Sequence, residues 1–348
     1  MHPPLQAGWI DRPHQIFRPG DFALESGAVI RDFELSYVVH GEIDATRSNV
    51  VLALSAIAST HHRLDFLIGA GRALDPARFA IIAVDAIGNG LSTSPSTSIA
   101  QPGTQFPQFS IRDMVESQRA LLDHLGIGQL HALVGASMGG MQALQWGVSH
   151  PDRMKHIVAM TPMAKTAPWA AAINETSRRA VMADPDWANG GTRGWAAWVP
   201  LMQLLSGRTP RQLQSEFASA EAVRGWIEAR TTWWLAQGFA PVDWVYQSRA
   251  YDAHDVGATA GFAGDTARAL ASIRADTLVL TPPLDLYNPA EAAHWAAEHI
   301  TTASPRHTAS TAKSHPPPIR HTRTASGAAA RAASHAGPPW LAPPARGA

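Results

Sequence analysis

The stretch from Leu130 to Ser149, LHALVGASMGGMQALQWGVS, runs from apolar residues through a glycine-flanked serine into a segment with helical spacing of apolar residues. At its centre, Gly135-Ala136-Ser137-Met138-Gly139-Gly140 is a G-x-S-x-G pattern in a strand–turn–helix setting. A turn this sharp strains the serine backbone, and side chains two residues to either side would collide with it. Glycine at 135 and 139 removes both collisions. The geometry lifts the hydroxyl above the strand ends, beside a helix N-terminus where the Met138 N–H can donate to an oxyanion. Glycine-rich turns also cradle phosphates, but those follow G-x-x-x-x-G-K-[ST] or G-x-G-x-x-G, and neither is present. Ser137 is therefore read as a nucleophile.

The flanking segments agree with that setting. Asp21 to Gly41 reads as two strands about a Ser-Gly turn, and Asn49 to Ser55 and Arg78 to Gly90 each contain a buried strand. Ser110 to Gly128 has an N-cap serine, apolar residues at helical spacing and a glycine stop, so it reads as a helix. Strands alternating with crossover helices predict an α/β fold with a mostly parallel sheet covered on both faces. With 348 residues, 45% of them hydrophobic, the chain can bury such a core. It has no cysteine, which excludes disulfides and thiolate chemistry and leaves Ser, His, Asp and Glu to carry any covalent step. The zero formal charge gives no sign of a nucleic-acid partner or an anionic membrane surface. No signal pattern opens the chain and no window reaches about 18 apolar residues, so the expectation is a cytoplasmic protein that does not span a membrane.

The chain resembles the homoserine O-acetyltransferase-like family of the α/β-hydrolase fold over roughly residues 15–300. FALESGAVIRDFELSYVVHGEI, SMGGMQALQW, INETSRRAVMADPDW and RAYDAHDVG carry the resemblance, in order along the chain. It implies a ping-pong reaction in which the serine takes an acyl group from acyl-CoA, the co-substrate, and passes it to a hydroxyl. It implies no other cofactor and no metal, and a homodimer paired through the cap.

A serine hydroxyl needs a base, and the base needs a carboxylate to orient it. In this fold the chain order is Ser, Asp or Glu, His. DTLVLT, from Asp276, reads as a late strand, Asp285 lies in the loop beyond it, and PAEAAHWAAEHI reads as the following helix. The family places its triad aspartate at the matching point, although an aspartate there could also merely turn the loop or cap the helix. The register of the family gives His315 as the base, with His307 next. From Thr301 to Ala348 there is no acidic residue, while six Lys/Arg and four His occur among many Pro, Ala, Ser and Thr. Only Ile319, Trp340 and Leu341 are large and apolar, too little to order a final strand and covering helix. The segment reads as a disordered basic tail. The abrupt loss of pattern at residue 300 motivates the hypothesis of a shift in reading frame, which re-sequencing the gene decides.

The second oxyanion donor is expected in the loop after the Asn49 to Ser55 strand, where the resemblance points to the Ile57 N–H. His61 and His62 lie in the same loop. Adjacent residues do not face one site on a regular element and no third ligand spacing accompanies them, so they are read as loop polarity rather than a metal site. Gly88 to Ser98 is read as a surface loop near the mouth of the pocket. Between Ala164 and Ser272 the strand pattern lapses, and eight of the twelve tryptophans fall there. This segment reads as a helical cap, its aromatics building a core of their own or lining an acyl pocket. The family grips homoserine with an arginine and a tyrosine in the region matching Gly194 to Pro210, and this chain has neither at the matching places. Pro316 also replaces the aspartate that follows the family's catalytic histidine. The expected reaction is therefore serine acyl transfer from a small ester or acyl-CoA to water or a hydroxyl other than homoserine. The alternative is a catalytically dead relative that binds a small ligand.

Overall fold

The computed structural model describes residues 2–303. Seven strands form one sheet: β1 (Gln15–Ala23), β2 (Val29–His40), β3 (Val50–Leu54), β4 (Ala80–Val84), β5 (Leu130–Ala136), β6 (Met154–Met160) and β7 (Asp276–Leu280). Their spatial order is β1-β2-β4-β3-β5-β6-β7. The β1–β2 hairpin and the β2–β4 pair are antiparallel, and every pair from β4 to β7 is parallel. Pro19, which has no N–H to offer a ladder, lies in edge strand β1, where the register slips between Phe17 and Gly20.

The central parallel strands β3 and β4 are short and wholly apolar because both their faces are covered. In β3 (VVLAL) every residue is buried. Val50, Leu52 and Leu54 enter one hydrophobic cluster, with Met114, Leu121 and Leu144, whereas Val51 and Ala53 enter a second, with Leu64, Ile68 and Leu74. The period-two alternation thus splits a continuous apolar run between two cores.

The helices beside the sheet are α1 (Ile111–His124), α2 (Met138–Ser149), α8 (Thr266–Ala271) and α9 (Ala290–His299). Ser110 caps α1 by accepting from the Asp113 N–H, and Asp113 accepts from Ser110 in return. Between β6 and β7 lie five more helices: α3 (Pro168–Met182), α4 (Arg193–Ser206), α5 (Pro210–Glu216), α6 (Ala220–Ala236) and α7 (Pro241–Asp252). Trp195, Trp198, Trp234 and Trp244 are all buried in this insertion, with the Trp195 and Trp198 rings stacked at 4.0 Å. These four tryptophans build the insertion's own core, the plainer of the two sequence expectations. At the free edge of β7, Ala303 makes a single parallel bridge to Thr277 where the described residues end. Among the described residues no helix is long and apolar enough to cross a membrane.

Candidate active site at the strand-to-helix turn

Ser137 stands between the last residue of β5 and the first of α2, with φ 56° and ψ −122°. A positive φ is costly for a residue with a Cβ, so neighbouring contacts must over-determine it. The Ser137 N–H donates to the Met160 carbonyl at 2.9 Å, and the Ser137 carbonyl accepts from Met141 at 3.0 Å. The glycines act differently from the sequence expectation. A Cβ on Gly135 would lie 2.1 Å from the Gly139 carbonyl oxygen, one on Gly139 would lie 2.7 Å from the Leu54 carbonyl oxygen, and one on Gly140 would meet the Met160 oxygen at 2.8 Å. They let α2 press onto the ends of β5, β3 and β6, and that close approach holds the serine in its strained turn.

Met138 is the first residue of α2, so its N–H has no intrahelical acceptor. In the loop after β3, the Ala56 N–H donates to Ser59 Oγ at 2.8 Å and the Ala58 N–H to Gln247 Oε1 at 3.0 Å. The Ile57 N–H between them makes no hydrogen bond among the described residues, so both expected oxyanion donors are uncommitted there. Gln247, on α7, also donates to the Ile87 carbonyl at 3.2 Å. The helical insertion thereby braces the loop that carries Ile57. Nothing in the sequence marked Gln247.

Asp285 lies in the loop between β7 and α9, and its Oδ1 accepts the N–H groups of Tyr287 and Asn288, both at 2.9 Å. This oxygen turns the loop, as the plainer expectation had it, but Oδ2 carries no hydrogen bond among the described residues. Burial pushes the carboxyl up from its ordinary range, and the two N–H donors pull the other way. The loop is itself anchored. Asn288 donates to the Thr161 carbonyl beyond β6 and accepts from the Tyr251 hydroxyl. The Tyr287 hydroxyl donates to Asn174 Oδ1, and Asn174 donates to Asp252 at 2.7 Å, which pairs with Arg178 at 2.6 Å. Asn174 and Arg178 come from INETSRRAV and Tyr251 and Asp252 from RAYDAHD, so two of the stretches that carry the family resemblance converge on the Asp285 loop.

His315 and His307 lie outside the described residues. Among the described residues no imidazole hydrogen-bonds Ser137; the Ser137 turn, the loop that carries Ile57 and the Asp285 loop follow β5, β3 and β7 and so lie at one end of the parallel strands.

Two loop expectations need correction. His61 and His62 are each only 3% exposed, inside a 3-10 helix (His61–Leu67) capped by Thr60, and their ring centroids are 4.0 Å apart. They are not loop polarity, because Asp85 and Asp65 bind them from within the fold. Gly88 to Ser98 is likewise not a surface loop as a whole: Asn89, Ser92 and Ser94 are buried, with Asn89 donating to Asp85 at 2.9 Å. Burial alone would push Asp85 up, but its bonds from His61 and Asn89 outweigh that and hold it below the ordinary carboxylate range.

The alpha/beta hydrolase fold family matches residues 49–196. The chain has the α/β-hydrolase fold. By sequence it is similar to a homoserine O-acetyltransferase of Zymomonas mobilis (39% identical over 191 residues, 49% of this chain and 51% of that one). It is also similar to a homoserine O-succinyltransferase of Stutzerimonas stutzeri (38% over 186 residues, 48% and 49%). The chain thus spans about half the length of the curated relatives it matches. By structure it is similar to the acetyl esterase MekB, with TM-score 0.78, 28% identity, and 84% and 87% of the two chains covered. An acetylester hydrolase from Corynebacterium glutamicum gives TM-score 0.76, 28% identity and coverage of 83% and 86%. The resemblance to homoserine O-acetyltransferase-like proteins of this fold is thereby borne out.

Proposed function

We propose that this α/β-hydrolase-fold chain is a serine acyl-transfer enzyme acting on a small acyl ester or acyl-CoA. The observation that carries the reading is the strained Ser137 turn at the start of α2, where the Met138 N–H has no intrahelical acceptor, with the Ile57 N–H unbonded among the described residues in the loop after neighbouring strand β3. In the proposed reaction the Ser137 oxygen attacks the acyl carbonyl while an imidazole, assigned to His315, takes its proton. The resulting oxyanion accepts hydrogen bonds from Met138 and Ile57, and the imidazole returns the proton to the departing alkoxide or thiolate. Asp285 Oδ2 holds the imidazole in the working tautomer. Water or an alcohol then repeats the steps on the acyl-serine.

The matched relatives carry names of both transferases and esterases, and the acceptor separates the two. The homoserine grip expected from the family is missing from α4 and its flank, which favours water or a hydroxyl compound without an amino-acid head. The test is turnover of p-nitrophenyl acetate and of acetyl-CoA, each with and without homoserine, by the full chain and by Ser137→Ala. The reading expects ester turnover that the variant loses and that homoserine does not accelerate. O-acetylhomoserine as the main product would overturn the acceptor assignment, and no turnover of any ester or thioester by folded protein would favour the dead ligand binder.

A further inference from the structure

His2, His61 and His62 each bring one ring nitrogen within 4.8 Å of the other two. Their other nitrogens are already committed. His61 Nδ1 lies 3.1 Å from Asp85 Oδ2, and His62 Nδ1 lies 2.7 Å from Asp65 Oδ2. His2 Nδ1 lies at hydrogen-bond distance from the Pro3 carbonyl. A carboxylate or carbonyl oxygen can only accept, so in the neutral imidazole that binds a metal each Nδ1 carries the proton and each Nε2 presents a lone pair.

The lone pairs of His2 and His62 then face each other, with the His61 ring centroid 5.5 Å and 4.0 Å from theirs. His2 Nε2 faces His62 Nε2 at 3.1 Å, a separation close to that of two nitrogens on one tetrahedral zinc ion with bonds of about 2.0–2.1 Å. The side chain of His61 is 1% exposed, and its Nε2 has no hydrogen-bond partner among the described residues. A buried acceptor left without a donor forfeits the hydrogen bond it would make to water. A cation bound by all three removes that loss and the facing of two acceptors together. The Asp85–His61 and Asp65–His62 pairs have the form by which metalloproteins orient a ligating imidazole and raise its basicity. Asp65 also accepts the Ile10 N–H at 2.8 Å, and Trp9 stacks on His62 at 4.2 Å, so the segment bearing His2 is already docked on this corner.

We propose that His2, His61 and His62 form a binding site for a divalent transition metal ion of the zinc class, separate from the Ser137 turn. Nitrogen-only ligation by neutral imidazoles suits zinc over the oxygen-seeking magnesium and calcium. Bound there, the ion ties the segment of residues 2–10 to the loop that follows Ile57, so its role is to brace that loop. Ser137 takes no part.

The test uses tag-free, full-length protein stripped with a chelator and titrated with Zn2+ against a chromophoric competitor, because four histidines beyond residue 303 could hold zinc on their own. The expected result is one tight equivalent that His2→Gln and His61→Gln each weaken by about 100-fold or more. Asp65→Asn, which removes only an orienting carboxylate, should weaken it by about 10–100-fold. His2→Gln alters a half-buried residue outside every strand and helix, so it keeps the test valid should His61→Gln fail to fold. Substitution with Co2+ should give the d–d absorption of a tetrahedral site, lost in His2→Gln. Absence of a tight equivalent in the wild-type chain would overturn the proposal, as would zinc affinity that His2→Gln leaves unchanged.

Discussion

Asp243 sits in the first turn of α7 with its side chain buried, and the only hydrogen-bond partner of its carboxyl among the described residues is Ser96 of the loop after β4. The Ser96 N–H donates to Oδ1 at 2.9 Å and the Ser96 hydroxyl reaches Oδ2 at 2.5 Å. Burial raises its pKa from 3.8 to about 7, with the Ser96 bonds opposing. At about 1.4 kcal/mol per pH unit, the gap between 3.8 and about 7 is worth about 4 kcal/mol. The α7 N-terminus favours the charged form by about 0.3–1 kcal/mol, leaving about 3. The sign follows from the folded pKa lying above the unfolded one. The contribution is full below pH 3.8, where both states are protonated, and is lost as pH rises towards 7. Asp243→Asn keeps the shape, with its amide replacing the acid O–H toward Ser96, and cannot ionise. The stability of the variant relative to wild type, from urea unfolding, should therefore climb by about 3 kcal/mol between pH 4 and pH 8 and then level off. Other carboxylates titrate in the same window, but they cancel in this difference. A difference that stays flat across that range would refute the reasoning.

Three other outcomes follow. Gly135→Ala puts a Cβ 2.1 Å from the Gly139 carbonyl oxygen, which only backbone movement relieves. It should cost about 3 kcal/mol or more in urea unfolding and slow ester turnover in whatever protein stays folded. Asp285→Asn keeps an Oδ1 to accept Tyr287 and Asn288, so thermal unfolding should change little while kcat falls by about 10³–10⁴-fold. Asn288→Ala removes the tie between that loop and Thr161, and should lower kcat by about 10-fold without abolishing it, checked by steady-state kinetics.

What could be read from the sequence was what local pattern encodes. The serine turn and the run of short apolar strands were legible because glycine spacing and apolar periodicity are properties of neighbouring residues. So was α1, down to its Ser110 cap. The supports of the site were not, because they pair residues far apart in the chain: Gln247 with Ala58, Asn174 with Tyr287, Asn288 with Thr161. His61 and His62 show the same limit from the other side. Adjacent polar residues before an apolar run look like a solvated loop until Asp85 and Asp65 are found beneath them. The tryptophans of the insertion were legible as a group, but only packing shows that four of them face one another. His307 and His315 lie outside the described residues, so the base rests on register with the family.

The most direct measurement is the intact mass of the full-length protein after treatment with a fluorophosphonate, which reports whether Ser137 is exposed and activated at once. The account predicts a single adduct that peptide mapping places on Ser137 and that Ser137→Ala does not form. An unlabelled wild-type chain that is folded by circular dichroism, or an adduct that survives in Ser137→Ala, would contradict it.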